Sequence, residues 1–204
     1  MMTEQKVKFK AFDLYDMEEI EVKDIALKSY INLEGKLVLK SYGRHTEKFG
    51  NAKVHILERL AMRVGVPGHI GKKHKIITNW ATGKYSPNMK IVLQAMEIIQ
   101  KKKNGNPVQV LVKAIETCSP RDEITTIEYG GARYAKAVDV APQRRIDLAL
   151  RYMTQGAYTK SFNKKTKIED ALAEEIITAY QCSGKSTAVA KKRDLERQAS
   201  SSNK

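Results

Sequence analysis

Three prolines in the middle of the chain, Pro87, Pro107 and Pro142, each open an apolar-periodic segment, and they constrain the fold more than any other feature. Proline fits the first turn of a helix, where its missing N–H would have no partner and its φ is already set. Ser86 and Asn106 stand directly before two of them, side chains suited to accept an orphan N–H of the first turn. Behind Pro87, Val92, Ala95, Met96 and Ile99 share one face, and Lys101, Lys102 and Lys103 suit the negative helix end before Asn104–Gly105 stops it. Behind Pro107, Val108, Leu111, Val112 and Ile115 form the next stripe, and behind Pro142 come Ile146, Ala149, Leu150 and Met153. Two helices joined by the short link Asn104–Asn106 pack antiparallel.

The rest of the chain extends this pattern. From Asn51, Val54, Leu57, Ala61 and Val64 keep helical spacing until Gly65 and Pro67 close the run. Thr166-x-x-Glu169 reads as a capping box before Ile168, Leu172, Ile176 and Ala179. Ser186 caps a last helix, AVAKKRDLERQAS, that frays into a flexible tail at 200–204. Between them, EITTIEYGGARYAKAVDV turns at Gly130–Gly131 and reads as a β-hairpin over about residues 122–140. Residues 1–50 read as an N-terminal extension, in which Tyr30–Tyr42 alternates apolar and polar side chains like a strand. The expectation is a mainly α fold: a compact bundle of about six helices with one protruding β-hairpin and the extension. In domains, that is an arm at 1–50, a helical domain at 51–199 that carries the hairpin, and the tail.

Charge narrows the function. The 204 residues carry 37 Lys and Arg against 23 Asp and Glu, a net +14, and the excess is local. Residues 1–24 hold four basic and seven acidic groups, whereas residues 36–104 hold fifteen basic and three acidic ones. A surface shaped only by solubility mixes the signs; a block nearly free of acids suits phosphates. No apolar run approaches the ~20 residues that cross a bilayer, and MMTEQKVKFK has no apolar signal stretch. Two cysteines, Cys118 and Cys182, make no disulfide framework, so a reducing cytoplasm is expected. A membrane-surface role would need a lipid-facing stripe, and the apolar stripes here are committed to a helical core.

Catalytic signatures fail. Gly184–Lys185–Ser186 ends like a phosphate-binding loop, but Ala179 stands where the leading glycine belongs and a helix precedes it. His45, His55, His69 and His74 have no zinc spacing with one another or with the cysteines, so no metal site is expected. Cys118 reads as a small packed side chain. Glu169–Asp170 and Glu174–Glu175 read as helix solvation and dipole compensation. No catalytic residue, cofactor or small-molecule substrate is expected. An RNA-processing enzyme lacks a titratable cluster, and a free nucleic-acid-binding regulator of helix-turn-helix type lacks the short turn before a recognition helix.

Read in order, GKYSPNMKIVLQAMEII, NPVQVLVKAIE, the glycine-tipped hairpin, APQRRIDLAL and STAVAKKRDLERQA resemble the universal small-subunit ribosomal protein seven family. The resemblance covers about residues 53–199, and the order of motifs carries it more than any single one. The acidic-then-basic arm and IEYGGARY resemble archaeal and eukaryotic members, with the archaeal type favoured. The resemblance implies direct binding to the 3′ major domain of small-subunit rRNA and nucleation of head assembly. It also implies a place near the exit-site tRNA and the mRNA exit path, beside other head and platform proteins. It puts Lys84 (with Gly83) at an rRNA contact, Arg144 and Arg145 on the Pro-x-Arg-Arg, and Lys191, Lys192 and Arg193 on the basic start of the last helix. Gly130, Gly131 and Arg133 fall at the hairpin tip, toward the tRNA.

Charge alone adds Lys72, Lys73 and Lys75 in a Gly-rich loop, with His69 and His74 beside them, Lys101 and Lys102 at a helix end, and Lys136 on the hairpin. For each loop lysine, RNA contact and plain solvation are evenly matched. Arginine forks pair with phosphate in two bonds, so Arg144 and Arg145 are expected to fix register while the lysines add affinity. Tyr129 and Tyr134 suit either base stacking or a cross-strand pair, and the pair is the favoured reading.

Overall fold

Asn106 accepts a hydrogen bond from the Val108 N–H at 3.0 Å, and Pro107 begins α4 (Pro107–Cys118) as the sequence predicts. Val108, Val110, Leu111, Val112, Ala114, Ile115 and Cys118 are all buried, a wider apolar surface than the predicted stripe. A helix apolar nearly all round must lie inside. In this computed structural model, which describes residues 10–43, 45–68 and 83–202, α4 is the centre of the bundle.

Six elements are described around it: α1 (Ile25–Lys28), α2 (Ile56–Gly65), α3 (Tyr85–Lys103), α5 (Pro142–Ser161), α6 (Ile168–Tyr180) and α7 (Thr187–Ser202). The α3, α5, α6 and α7 helices all touch α4. With α1 a single turn, the mainly α bundle of six longer helices stands. Strands β1 (Asp122–Tyr129) and β2 (Ala132–Asp139) pair antiparallel from Asp122↔Asp139 to Tyr129↔Ala132. Gly130 (φ +56°) and Gly131 (φ +79°) form the two-residue turn, both in the left-handed region that a type I′ turn requires. Its base is held by the Val140 N–H donating to Arg121 at 2.8 Å, and by α7.

Residues 10–43 lie on the bundle as a strap. Ala11, Tyr15, Met17, Leu27, Ile31 and Leu39 belong to the same core as α4. Polar groups of α4 and its cap fix the path: Asn106 donates to the Asp16 carbonyl at 2.6 Å and Gln109 accepts from the Glu21 N–H at 2.8 Å. One oxygen of Glu116 accepts from the N–H groups of Lys23 and Asp24 at 2.7 and 3.0 Å. The strand expected at Tyr30–Tyr42 does not form; among the described residues no strand lies beside it, and an isolated bridge joins Asn32 to His55. Asn32 instead serves α2, accepting from the Ile56 N–H at 3.1 Å while its amide donates to the Lys53 carbonyl at 2.6 Å.

Local details differ from the expected caps. A 3₁₀ turn at Gly50–Lys53 precedes α2, which is capped by His55 Nδ1 accepting from the Leu57 N–H at 3.2 Å. Helix α3 begins at Tyr85 and α6 at Ile168 without a side-chain cap, so Ser86 and Thr166 do not serve as N-caps. Ser186 does cap α7, which stays helical to Ser202 where a tail from residue 200 was expected; residues 203–204 lie outside the described ones. Glu175 is fully buried rather than solvated. One carboxylate oxygen accepts from Ser186 Oγ at 2.8 Å and the Ala188 N–H at 3.2 Å, and the other meets Lys160 Nζ at 2.9 Å. Gly156 makes room for it, since a Cβ there would lie 2.9 Å from the carboxyl carbon.

His55 gives the fold a pH dependence. Burial, aided by the Lys36 charge, pushes its imidazole down from 6.5 to about 4. The unfolded chain then takes up the proton first, so stability is complete above pH 6.5 and falls as pH drops toward 4. Over that window the loss is about 3 kcal/mol. His55→Asn keeps a capping oxygen and is expected to flatten this slope in urea titrations between pH 4 and 7.

Candidate nucleic-acid interface

Helices α2 and α5 cross with three arginines on their facing edges. Arg63, Arg144 and Arg151 line one open cleft of about 400 Å³ with Phe49 and Asp147. Asp147 is occupied by Arg59, whose guanidinium, 3% exposed, lies 3.0 Å from it. Among the described residues no carboxylate pairs with Arg63 or Arg151. Arg144 forks onto Glu123, with Nε 2.8 Å and Nη2 2.8 Å from different oxygens, yet its side chain stays 57% exposed. Pro67 and Gly68 sit at the edge of this surface: Gln155 donates to the Pro67 carbonyl at 3.0 Å, and a Cβ on Gly68 would lie 3.8 Å from the Arg151 guanidinium. The sequence placed Arg151 on the surface of α5 but gave no role to Arg63, which the crossing of two helices distant in sequence brings beside it.

Arg145 is the main correction. It was expected to fix RNA register, but it points inward, 8% exposed, with Nη2 2.7 Å from Asp24 Oδ2 and 3.2 Å from Ser119 Oγ. Consecutive helix positions lie about 100° apart, and here that turn leaves Arg144 outward while Arg145 faces the strap. Burial works to raise the Asp24 carboxyl, but the Arg145 hydrogen bond and charge, the Ala26 N–H and Arg121 together hold it below 3.8.

The other expected contacts lie on several faces. Lys84, exposed, precedes α3 after Gly83 (φ +74°). Lys101 and Lys102 are exposed at the end of α3, Lys101 paired with Glu97 at 2.7 Å, while Lys103 lies over the Tyr180 ring. On α7, Lys191 and Arg193 are exposed, whereas Lys192 is half-buried and donates to the Thr117 carbonyl at 2.9 Å. Lys72, Lys73 and Lys75, with His69 and His74, lie outside the described residues.

On the hairpin, Arg133 stands opposite Glu128 at 3.6 Å, and Lys136 opposite Thr125. Gly130 and Gly131 are exposed at the turn. Tyr129 faces Ala132 and Tyr134 faces Ile127, so the tyrosines are diagonal neighbours on one face and not a direct pair. They are 81% and 59% exposed. Among the described residues no three His, Cys, Asp or Glu side chains gather as for a metal. Burial first, then the Glu175 charge, pushes the Cys118 thiol up to about 12. Gly184–Lys185–Ser186 is the turn into α7. Among the described residues no helix is long and apolar enough to cross a membrane.

Comparison with known proteins matches residues 34–204 to the family model described as ribosomal protein S7p/S5e. The chain is 51% identical over 196 residues to small ribosomal subunit protein uS7 of Nanoarchaeum equitans, covering 96% of this chain and 99% of that one. It is 42% identical over 187 residues to the protein of that name from Methanothermobacter thermautotrophicus, with 91% and 95% coverage.

Arginines that meet phosphate and arginines that hold the fold answer to different measurements. Arg63→Ala and Arg151→Ala are each expected to weaken RNA binding, reduce the log–log salt slope by about 0.7–0.9, and leave the thermal midpoint unchanged. Arg145→Ala is expected to cost roughly 2–3 kcal/mol of stability, because it strands Asp24, with no change in that slope.

Proposed function

The chain belongs to the ribosomal protein S7p/S5e family, in its archaeal type, and on that premise we propose that it grips the 3′ major domain of small-subunit rRNA and nucleates assembly of the subunit head. It is a protein of the small ribosomal subunit, a cytoplasmic particle, and not an enzyme. The observation that carries the rRNA reading is the arginine cleft between α2 and α5, within a chain whose residues 36–104 carry fifteen basic groups and three acids. Folded RNA hides its base edges in a deep groove, so shape, phosphates and 2′-hydroxyls are what a rigid protein surface can read. Guanidinium groups fixed on two packed helices suit that task better than mobile lysines.

The remaining cations extend the grip over several sides. Lys84, Lys101 and Lys102 are exposed at the ends of α3 and Lys191 and Arg193 on the first half of α7, and Lys72, Lys73 and Lys75 belong to the same proposed footprint by charge. Lys192 contributes through its field, since its ammonium is already held by Thr117. The hairpin has another role in this reading. Its outer half is exposed on both faces, and Gly130–Gly131, Arg133 and Lys136 carry it toward the exit-site tRNA and the mRNA exit path. A two-stranded ribbon gains little from standing alone in water, so an exposed one suits a partner surface.

In a sucrose gradient of cell lysate the protein is expected to follow the small subunit; a band remaining at the top would refute the assignment. Shortening the hairpin between Ile127 and Ala135 is expected to preserve binding to a 3′ major domain fragment while disturbing exit-site tRNA occupancy. Loss of fragment binding in that variant would make the hairpin an anchor instead.

A further inference from the structure

A second cavity, of about 350 Å³, opens where the strap reaches α2 and α3. It falls at the small end of small-molecule sites, about 300–1,000 Å³. Its walls are mostly apolar, with Ala61, Met62 and Val66 of the α2 side and the rings of Tyr42 and Tyr85. Tyr42 is 67% exposed although its backbone sits at φ +54°, a conformation that costs a non-glycine residue free energy.

The charges of the cavity are sorted by depth. Lys40 places its ammonium 4.7 Å from the Tyr42 ring centre and 5.3 Å from that of Tyr85, and Lys84 is exposed at the mouth. Beneath them Glu58, 5% exposed, lines the cavity, with one carboxylate oxygen accepting from Ser41 N–H and Oγ at 2.7 and 2.8 Å. A carboxylate inside repels a phosphate, whereas ammonium groups at the mouth attract one. The ligand that fits has a flat, uncharged, stackable part for the interior and an anionic part that stays outside.

We propose that this cavity receives one unstacked nucleobase of the bound rRNA, with its ring on Tyr42 and its phosphate against Lys84. This deepens the rRNA reading and rests on it. Unpaired bases splayed from RNA loops stack on aromatic side chains without regard to sequence. Glu58 adds a preference, because a carboxylate accepts from the exocyclic amino group of adenine, guanine or cytosine and finds no such donor on uracil. An apolar side chain from a neighbouring protein would leave that carboxylate facing hydrocarbon, which disfavours it as occupant.

The full-length chain is titrated with a 3′ major domain rRNA fragment across a salt series, as wild type, Tyr42→Ala, Tyr42→Phe and Lys84→Ala, with thermal melts of each. Tyr42→Ala is expected to bind about tenfold more weakly with an unchanged salt slope, since stacking releases no counterions. Tyr42→Phe is expected to keep wild-type affinity, and Lys84→Ala to lower the slope. Wild-type affinity in Tyr42→Ala overturns the proposal, as does a loss that Phe does not rescue in a variant that melts normally. Unchanged RNA affinity with poor incorporation into subunits assigns the cavity to a neighbouring protein and also overturns it. If the wild type itself does not bind the fragment, the rRNA reading falls first and this one with it.

Discussion

A helix with apolar side chains nearly all round has to be enclosed, and α4 sets that demand for the whole molecule. Four other helices cover part of it. The remainder is closed by the strap, whose backbone is pinned by the polar groups of Asn106, Gln109 and Glu116. Each pin satisfies a main-chain group that irregular chain would otherwise leave to water, which lets a segment with only one helical turn follow a defined path. Arg145 then ties the middle of the strap to α5 through Asp24.

The same economy shapes the outside. Asp24, Glu58, Glu116, Asp147 and Glu175 are among the carboxylates engaged by groups of this chain. Glu175 holds the start of α7 against α6, and Gly156 lets α5 approach it. Asp24, Asp147 and Glu175 are each matched by a cation of the chain, Arg145, Arg59 and Lys160, so these pairs leave the net positive charge to the remaining side chains. The acidic character of residues 1–24 fits this arrangement. Their basic counterpart includes Arg145 of the chain itself.

Helices with a proline start and a regular stripe were legible because local chemistry decides them: Asn106–Pro107 and the Gly130–Gly131 turn stand where the sequence puts them. The inward charges were readable in part. Arg145 is four residues before Ala149, and Glu175 is three after Leu172 and four before Ala179, so both lie on the apolar stripes of their helices. A charge on such a stripe signals a buried partner, but not which one. Asp24 is 121 residues away, and Ser186 and Lys160 lie on other elements, so packing alone supplies them. The arginine cleft was hidden for the same reason, since Arg63 and Arg151 meet only when α2 crosses α5.

The strap imposes an order on how the chain is completed during synthesis. Chains emerge N-terminus first, and local contacts form before distant ones. Residues 10–24 emerge well before their anchors, α4 and Arg145, whose contacts with them span 88 to 121 residues of chain. The segment therefore waits for α4 to supply its pins, and for α5 to supply the partner of Asp24. Its acidic side chains keep that segment hydrated until the bundle receives it.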